Sequence, residues 1–421
     1  MGRPASFNSL AQWLAWLETL SPHEIDLGLE RVVEVLRRLP ERRPARVIHI
    51  AGTNGKGSSA AMLEALYLQR NDSVGCYTSP HIHRYNERIR VAGIDVDDTQ
   101  ITAAFEQVEA ARGDLALTYF EFGTLAAVCV FDDAATETVI LEIGLGGRLD
   151  AVNAIEPMGG IITNISVDHV AWLGSDVNSI AAEKAGIMRS GKPFVFASED
   201  VPQAILDAAK DLGAELSVLG RDYHYSLNGN GGWEFIGRDC HITGLNSPSL
   251  PGAIQIRNAA GVLALVEALG DIDLLDASTI NAAFAGLCLA GRLQRIDRGR
   301  SWILDVAHNR GAAEVLAQTL EAGPADRALT CIVGILDDKV VEDIVEPLLP
   351  FVENWIAVTA ASPRGLPANR LAAAIAHLSS KPCLIARSIE EACQRCDTEG
   401  VEPVLVTGSF LTVGPALSWL E

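Results

Sequence analysis

The residues best suited to chemistry lie in Ala51-Gly52-Thr53-Asn54-Gly55-Lys56-Gly57-Ser58. An apolar run that reads as a strand (Val47-Ile48-His49-Ile50) precedes them, and a helical pattern from Ser58 to Arg70 follows. Glycines let the chain turn so that backbone N–H groups face phosphate oxygens at a helix N-terminus. In that arrangement Lys56 neutralises the β- and γ-phosphates, and the Ser58 hydroxyl holds a magnesium ion. The spacing departs from the usual phosphate loop, because Gly57 separates Lys56 from Ser58 and the first glycine stands closer. A glycine-rich turn with an incidental lysine is the plainer alternative. The strand–loop–helix context favours phosphate.

Magnesium beside phosphate needs hard oxygen ligands, typically one or two carboxylates with water. Glu142 closes the apolar run Thr138-Val139-Ile140-Leu141, where a metal-binding acid would sit; otherwise it is a strand-end surface charge. The run Gly144-Leu145-Gly146 resembles the start of a dinucleotide fingerprint, but Leu149 occupies its sixth position and no helical pattern opens there. Nicotinamide binding is therefore rejected. Asp168-His169 follows Ile161-Ile162-Thr163-Asn164-Ile165, at a strand's carboxyl end, where open α/β sheets bind ligands. A lone histidine is more often structural. Lys184 falls on the apolar side of a short helix, and a desolvated lysine loses pKa. It can act as a nucleophile, pair with a neighbouring acid, or take up carbon dioxide as a carbamate; these residues alone do not choose.

Positioning such groups requires strands that end at them. Short β-branched runs alternate with helical patterns, which points to α/β layers around a parallel sheet. Helices are expected at 9–20, 24–39, 99–112, 119–131, 178–189 and 202–213, with further strands at 74–78, 137–143, 160–165 and 193–197. Residues 221–256 break the rhythm and suggest an antiparallel hairpin, followed by helices at 257–269 and 276–286. A second series of strands is expected at 301–305, 329–334, 354–359, 383–387 and 402–407. That places a domain boundary near 296, giving 1–295 and 296–421, with a basic hinge at 288–300. A length of 421 residues is ample for two cores.

Lys and Arg total 33 against 54 Asp and Glu, a net charge of −21. A field of that sign repels nucleic-acid backbones and anionic membranes, so neither is an expected partner. An anionic small substrate needs only a local basic pocket. The 8 cysteines are scattered and several sit in apolar runs, as in a reduced cytoplasmic protein. Cys393 and Cys396 form a lone Cys-x-x-Cys pair in a helical pattern, for which no metal or redox role is expected.

Taken together, IDLGLERV (25–32), AGTNGKGS (51–58), TSPHIHRYNERI (78–89), TYFEFGTLAA (118–127), LEIGLGGRLDAVN (141–153), ITNISVDHVAWLG (162–174), EKAGI (183–187), LPGAIQIRNAA (250–260), GRLQ (291–294), LDVAHN (304–309) and VTGSF (406–410) resemble the folylpolyglutamate synthase/dihydrofolate synthase family, within the Mur-type ATP-dependent amide ligases. The resemblance runs nearly end to end. It implies an N-terminal P-loop ATPase-like domain with a mainly parallel sheet and a smaller Rossmann-like C-terminal α/β domain.

It also implies site roles. Gly55, Lys56, Gly57 and Ser58 would bind the ATP phosphates. Ser58, Ser79 and Glu142 would hold one magnesium ion, and His169 with Lys184, as its carbamate, a second. Asn258, Arg292 and Asp305 match nucleotide-binding positions, with Arg292 suited to the γ-phosphate and Asp305 to ribose or base. Lys56, His308 and Asp150 match positions important for catalysis. Asp26, Leu27, Gly28, Phe120, Glu121, Phe122, Gly123, Leu149, Asp150 and Ala151 match pteroate-binding positions. Two residues depart from the family: Arg310 stands where many relatives have proline, and Ile254 where many have histidine.

The implied reaction is ATP-dependent ligation of L-glutamate to dihydropteroate, giving dihydrofolate, and to reduced folates, giving folylpolyglutamates, through an acyl phosphate. The family implies a monomer. Another Mur-type ligase, such as a muramyl-peptide synthetase, is the alternative enzyme, but it needs a UDP-sugar region where residues 1–45 read as two helices. A nucleotide switch that ligates nothing is the alternative from another class.

Overall fold

The computed structural model describes residues 7, 9–21, 26–40, 45–168, 172, 174, 176–229, 231–323 and 328–421. Its first lobe is built on eight strands: β1 (Arg46–Ala51), β2 (Val74–Tyr77), β3 (Ile89–Val91), β4 (Ile94–Asp95), β5 (Thr138–Glu142), β6 (Gly159–Ile162), β7 (Pro193–Phe196) and β8 (Glu215–Val218). They lie in the order β4-β3-β2-β5-β1-β6-β7-β8, parallel except where β3 and β4 turn back at one edge. β1 sits at the centre, with Ile50 opposite Glu142 of β5 and Ile48 opposite Gly159 of β6. Parallel strands covered on both faces carry unbroken apolar runs, which is why β5 is buried along its whole length.

Helices Leu10–Leu20, Glu30–Arg38, Asp98–Arg112 and Tyr119–Asp133 belong to one face of this sheet, whose core includes an aromatic group. Trp13 lies 5.5 Å from Phe105 and 5.6 Å from Trp16 by ring centroid, and Phe105 lies 5.5 Å from Phe122. The helices Lys56–Gln69, Ile254–Ala268 and Ala277–Phe284 supply core residues on the other face, together with a three-stranded antiparallel sheet of β9 (His224–Leu227), β10 (Gly232–Ile236) and β11 (His241–Asn246). The hairpin expected from 221–256 is present, with a third strand added.

The second lobe holds β12 (Gln294–Asp297), β13 (Ser301–Leu304), β14 (Leu329–Val333), β15 (Val352–Ala357), β16 (Cys383–Ile385) and β17 (Val404–Thr407), ordered β12-β13-β17-β14-β15-β16. All neighbours are parallel except the β12–β13 hairpin. This α/β pair of lobes matches the expected fold class. The expected boundary at 295/296 falls within β12, and the expected hinge at 288–300 contains β12 and the turn that leads to β13. The charged sequence around Arg295 and Arg298 concealed a strand whose partner lies only a few residues ahead.

Two points differ from the sequence expectation, and the Cys-x-x-Cys pair does not. The second helix begins at Glu30 rather than 24, and residues 26–29 are not helical. Arg31 reaches back to the Asp26 carbonyl at 2.7 Å and its carboxylate at 2.8 Å, which ties that segment outside the helix. The edge strands β3, β4 and β8 were not foreseen, because β3 and β4 are very short and β8 is mostly half-exposed. Cys393 and Cys396 are buried, unbridged thiols on the helix Ile389–Glu399.

The aromatic group should carry much of the first lobe's cohesion. Trp13→Ala is expected to cost about 3–5 kcal/mol, read as an earlier first transition in chemical denaturation.

Candidate active site

The carboxyl ends of β1, β2, β5 and β6 open on one crevice, the usual ligand position in an α/β sheet. β1 ends at Ala51, and the chain turns through Gly52 (φ +140°) and Gly55 (φ +87°) before the helix opens at Lys56. At Gly52 a Cβ would fall 1.9 Å from Thr163 Oγ1, so only glycine fits. At Gly57 nothing stands within 4 Å of an added Cβ, and the loop is open there. First-turn N–H groups, which a helix cannot satisfy internally, belong to this end.

The loop is held by the segment after β6. Thr53 N–H donates to Asn164 O (3.0 Å), Asn54 N–H to Asn164 Oδ1 (3.0 Å) and Thr163 Oγ1 to Asn54 O (2.6 Å). Lys56 folds back, its Nζ donating to Gly52 O and Thr53 O at 3.2 Å each and lying 4.0 Å from Glu142 Oε1. Lys184, near the end of the helix Val177–Ala185, is buried and also donates to Gly52 O at 3.2 Å. Burial and the Lys56 charge pull the Lys184 pKa down to about 7, against Asp168 and Asp150. Glu142 is buried too; its pKa rises by desolvation, opposed by Lys56, the Ser79 N–H (3.1 Å to Oε2) and Arg292.

A cavity of about 100 Å³ is lined by Gly57, Ser79, Glu142 and, from the second lobe, Arg292 and Phe410. The Arg292 guanidinium lies over the Phe410 ring at 5.1 Å. Ser58 is buried in the first turn of the Lys56–Gln69 helix. Ser58, Ser79 and Glu142 offer hard oxygens, the donor type that suits magnesium when phosphate and water complete the shell. Among the described residues no three His, Cys, Asp or Glu side chains converge on one metal position. His169, expected as a ligand, lies outside the described residues.

Asn258 is buried in the helix Ile254–Ala268 and donates to Gln255 Oε1 at 3.0 Å, while its own Oδ1 is buried without a hydrogen-bond partner. That oxygen would lie 3.0 Å from a Cβ on Gly55. Asp305 accepts from Leu293 N–H and Ala307 N–H at 2.9 Å each, and burial raises its pKa. His308 Nδ1 lies 2.8 Å from Val306 O, and its Nε2 lies 3.6 Å from Asp168 Oδ2. Of the two departures, Arg310 is half-exposed and pairs with Glu314, Asp343 and Glu346, whereas Ile254 opens the Asn258 helix.

The expected pteroate residues divide. Phe120 and Leu149 are partly exposed, and so are Leu27 and Gly28; Asp26 is exposed and paired with Arg31. Asp150 is buried, accepts from Leu145 N–H (2.8 Å) and Val152 N–H (3.0 Å), and is pushed up to about 7 by desolvation. Ala151 is buried beside it. Glu121 accepts from Thr118 N–H at 2.7 Å and from Arg31, so its carboxylate caps a helix and anchors the Asp26 segment. Phe122 packs among Trp16 and Phe105, and Gly123 leaves room for the Tyr85 hydroxyl.

Two inter-lobe contacts escaped the sequence. Asn54 and Asn309 exchange side-chain amide bonds at 3.0 and 3.1 Å, and Asn309 Nδ2 also donates to Asp168 Oδ2 at 2.8 Å. Lys339, which follows β14, forms an ion pair with Asp168. Asn309 stood inside a quoted motif but without a role; Lys339 could have been noticed only from its place past a parallel strand.

The Mur ligase middle domain model matches residues 50–266, and the Mur ligase, glutamate ligase domain model matches residues 291–410. The chain is similar to the dihydrofolate synthase/folylpolyglutamate synthase of Escherichia coli (strain K12), 39% identical over 419 residues, 99% of this chain and 97% of that one. Its fold matches that of E. coli FolC in complex with DHPP and ADP, with TM-score 0.91 and 38% identity over 99% of this chain and 98% of the other. It also matches a bifunctional folylpolyglutamate synthase/dihydrofolate synthase with Mn, AMPPNP and L-glutamate bound, with TM-score 0.89 and 38% identity over 100% of each chain.

The buried Lys184 gives a stability signature. Its pKa falls from 10.5 to about 7 on folding, so across that window the unfolded chain holds a proton that the folded chain lacks. Wild-type stability therefore rises with pH there, by about 1.4 kcal/mol per unit at most. Lys184→Met removes the titration. Without nucleotide, metal or carbon dioxide, its melting temperature should exceed wild type near pH 7, with a gap that narrows toward about pH 9; a gap independent of pH would contradict the assignment.

Proposed function

Because the chain belongs to the dihydrofolate synthase/folylpolyglutamate synthase family of Mur ligases, we propose that it uses ATP to join L-glutamate to dihydropteroate and to reduced folates. The acceptor's carboxylate attacks the γ-phosphorus, and ADP leaves. The resulting acyl phosphate is attacked at its carbonyl carbon by the glutamate amine, which loses a proton as phosphate departs and the amide forms. No covalent enzyme intermediate is needed.

The observation that carries this proposal is one cavity shared by Gly57, Ser79 and Glu142 of the first lobe and Arg292 of the second. Catalysis would come from alignment and charge neutralisation. Lys56 would leave the Gly52 and Thr53 carbonyls for the phosphates, and Arg292 would meet the γ-phosphate. The vacant Asn258 Oδ1 suits an amine donor such as that of adenine. Asp305 keeps lone pairs free for a ribose hydroxyl, and His308 stands at the lobe junction beside Asp168.

Ser58, Ser79 and Glu142 would hold one magnesium ion, and His169 with carbamylated Lys184 a second. Bound there, divalent ions would screen phosphate charge and make the γ-phosphorus more electrophilic. A pKa near 7 gives Lys184 the neutral amine that carbon dioxide needs, and a carbamate would replace a repelling ammonium with an oxygen anion. Phe120, Leu149, Leu27, Gly28 and Asp150 would shape the pteroate site, with apolar surface and a polar edge for a flat heteroaromatic ring.

All these residues come from one copy of the chain, so a monomer suffices. Buried free thiols fit a reducing, cytoplasmic setting. Among the described residues no helix is long and apolar enough to cross a membrane. A muramyl-peptide synthetase is not favoured, since the full-length relatives named above carry the folate activity.

Phosphate release from ATP, measured with dihydropteroate and each amino acid in turn, tests the proposal. Release requiring both dihydropteroate and glutamate is expected; release indifferent to glutamate would contradict it. Lys184→Ala should lower magnesium-dependent turnover by about 100-fold or more and abolish the carbamate carbon resonance after labelling with ¹³C-bicarbonate. Near-normal turnover would remove the carbamate from the mechanism.

A further inference from the structure

The loop after β2 carries Ser79 at its base and Ile82 at its tip, and each end is tied to a different carboxylate. At the base, Ser79 N–H donates to Glu142 Oε2 at 3.1 Å. Toward the tip, Glu87 gathers three successive amides: Ile82 N–H on Oε2 (2.7 Å), and His83 N–H (2.8 Å) and Arg84 N–H (2.7 Å) on Oε1. A carboxylate accepting three backbone donors fixes the loop far more firmly than its own residues would. Glu87 also lines the same small cavity as Ser79 and Glu142.

The tip does not end in the first lobe. Ile82 packs into the second lobe's core cluster, which contains Val306 and Val413. Two glycines make room for it. At Gly414, on the helix Phe410–Leu420, an added Cβ would stand 2.5 Å from the Ile82 carbonyl oxygen. At Gly291 (φ +62°) it would stand 3.0 Å from Ile82 Cδ1. His83 Nδ1 lies 3.0 Å from Ser418 Oγ on the same helix. The tip therefore occupies a notch that side chains at these two positions would fill.

We propose that loop 79–84 is a docking tongue: seating Ile82 in the Gly291/Gly414 notch places Ser79 beside Glu142, so that lobe docking and assembly of the metal site are one event. Glu87 is the positioning residue that makes the tongue stiff enough to transmit the seating. The inference rests on the proposed metal role of Ser79 and Glu142. Its ligand is the divalent ion with ATP, and its recognition element is the contact of Ile82 with the second lobe at the edge of the same cavity, which Ile82 also lines.

The test pairs a wedge with a deletion. Gly414→Ala inserts a methyl group against the Ile82 carbonyl, and Ile82→Ala withdraws the tip without disturbing the backbone. Manganese binding in the presence of AMPPNP is followed by electron paramagnetic resonance, and glutamate-dependent phosphate release is followed at limiting and at saturating magnesium. Each variant is expected to weaken manganese binding about tenfold and to lower turnover at limiting metal by up to about tenfold. Turnover should recover at saturating metal, with KM for dihydropteroate unchanged and the two substitutions non-additive when combined. Glu87→Gln should show the same metal dependence. Wild-type manganese affinity in both Gly414→Ala and Ile82→Ala would overturn the proposal; if the wedge lowers the melting temperature, Ile82→Ala decides alone. Loss of glutamate dependence in the wild type would sink the ligase assignment instead, while the manganese result would still report on the tongue.

Discussion

Two lysine amines, the partly buried Lys56 and the fully buried Lys184, reach the same carbonyl oxygen, that of Gly52. Like charges so arranged are costly out of water, which pulls the Lys184 pKa down, while Glu142 at 4.0 Å from Lys56 and the Asp150 and Asp168 charges near Lys184 offset part of the cost. Lys56 on one side of the cavity and Arg292 on the other are the cations that a polyphosphate would meet. Much of the surrounding structure follows from holding that arrangement. The tight turn at Gly52 aims its carbonyl, Thr163 and Asn164 fix the loop behind it, and β5 delivers Glu142 from the neighbouring strand.

The second lobe completes the arrangement without duplicating it. Arg292 adds a cation at the cavity's far wall, while Asn309 and Lys339 engage Asn54 and Asp168 across the junction. These contacts join the phosphate loop to the segment that follows β6, so lobe position and loop position are mechanically linked. An acyl phosphate would need protection from water, and a crevice closed by two lobes can provide it.

Much of this was legible in the sequence because the physics is local. A glycine turn between a strand and a helix, a carboxylate ending a buried strand, and a lysine on an apolar helix face each announce themselves within a few residues. The central strands were legible for the same reason, since parallel strands covered on both faces are apolar throughout. What stayed hidden is non-local or short. β12 looked like a basic linker because its pairing partner, not its composition, makes it a strand. The surroundings of Glu121 and Phe122 were hidden too, because helical geometry turns neighbouring side chains to different faces, and theirs meet Thr118, Arg31 and the aromatic core. Nothing near Lys339 in the chain reveals Asp168, which lies 171 positions away.

The claim that the crevice is a cradle for phosphate charge is tested most directly by calorimetric titration of AMP, ADP and AMPPNP into the protein with magnesium present. Recognition of the phosphates by Lys56, Arg292 and the metal predicts stepwise tightening, with AMPPNP bound roughly 100-fold or more tightly than AMP. Equal affinity for all three would show that the nucleoside alone is recognised, and the electrostatic account would fail.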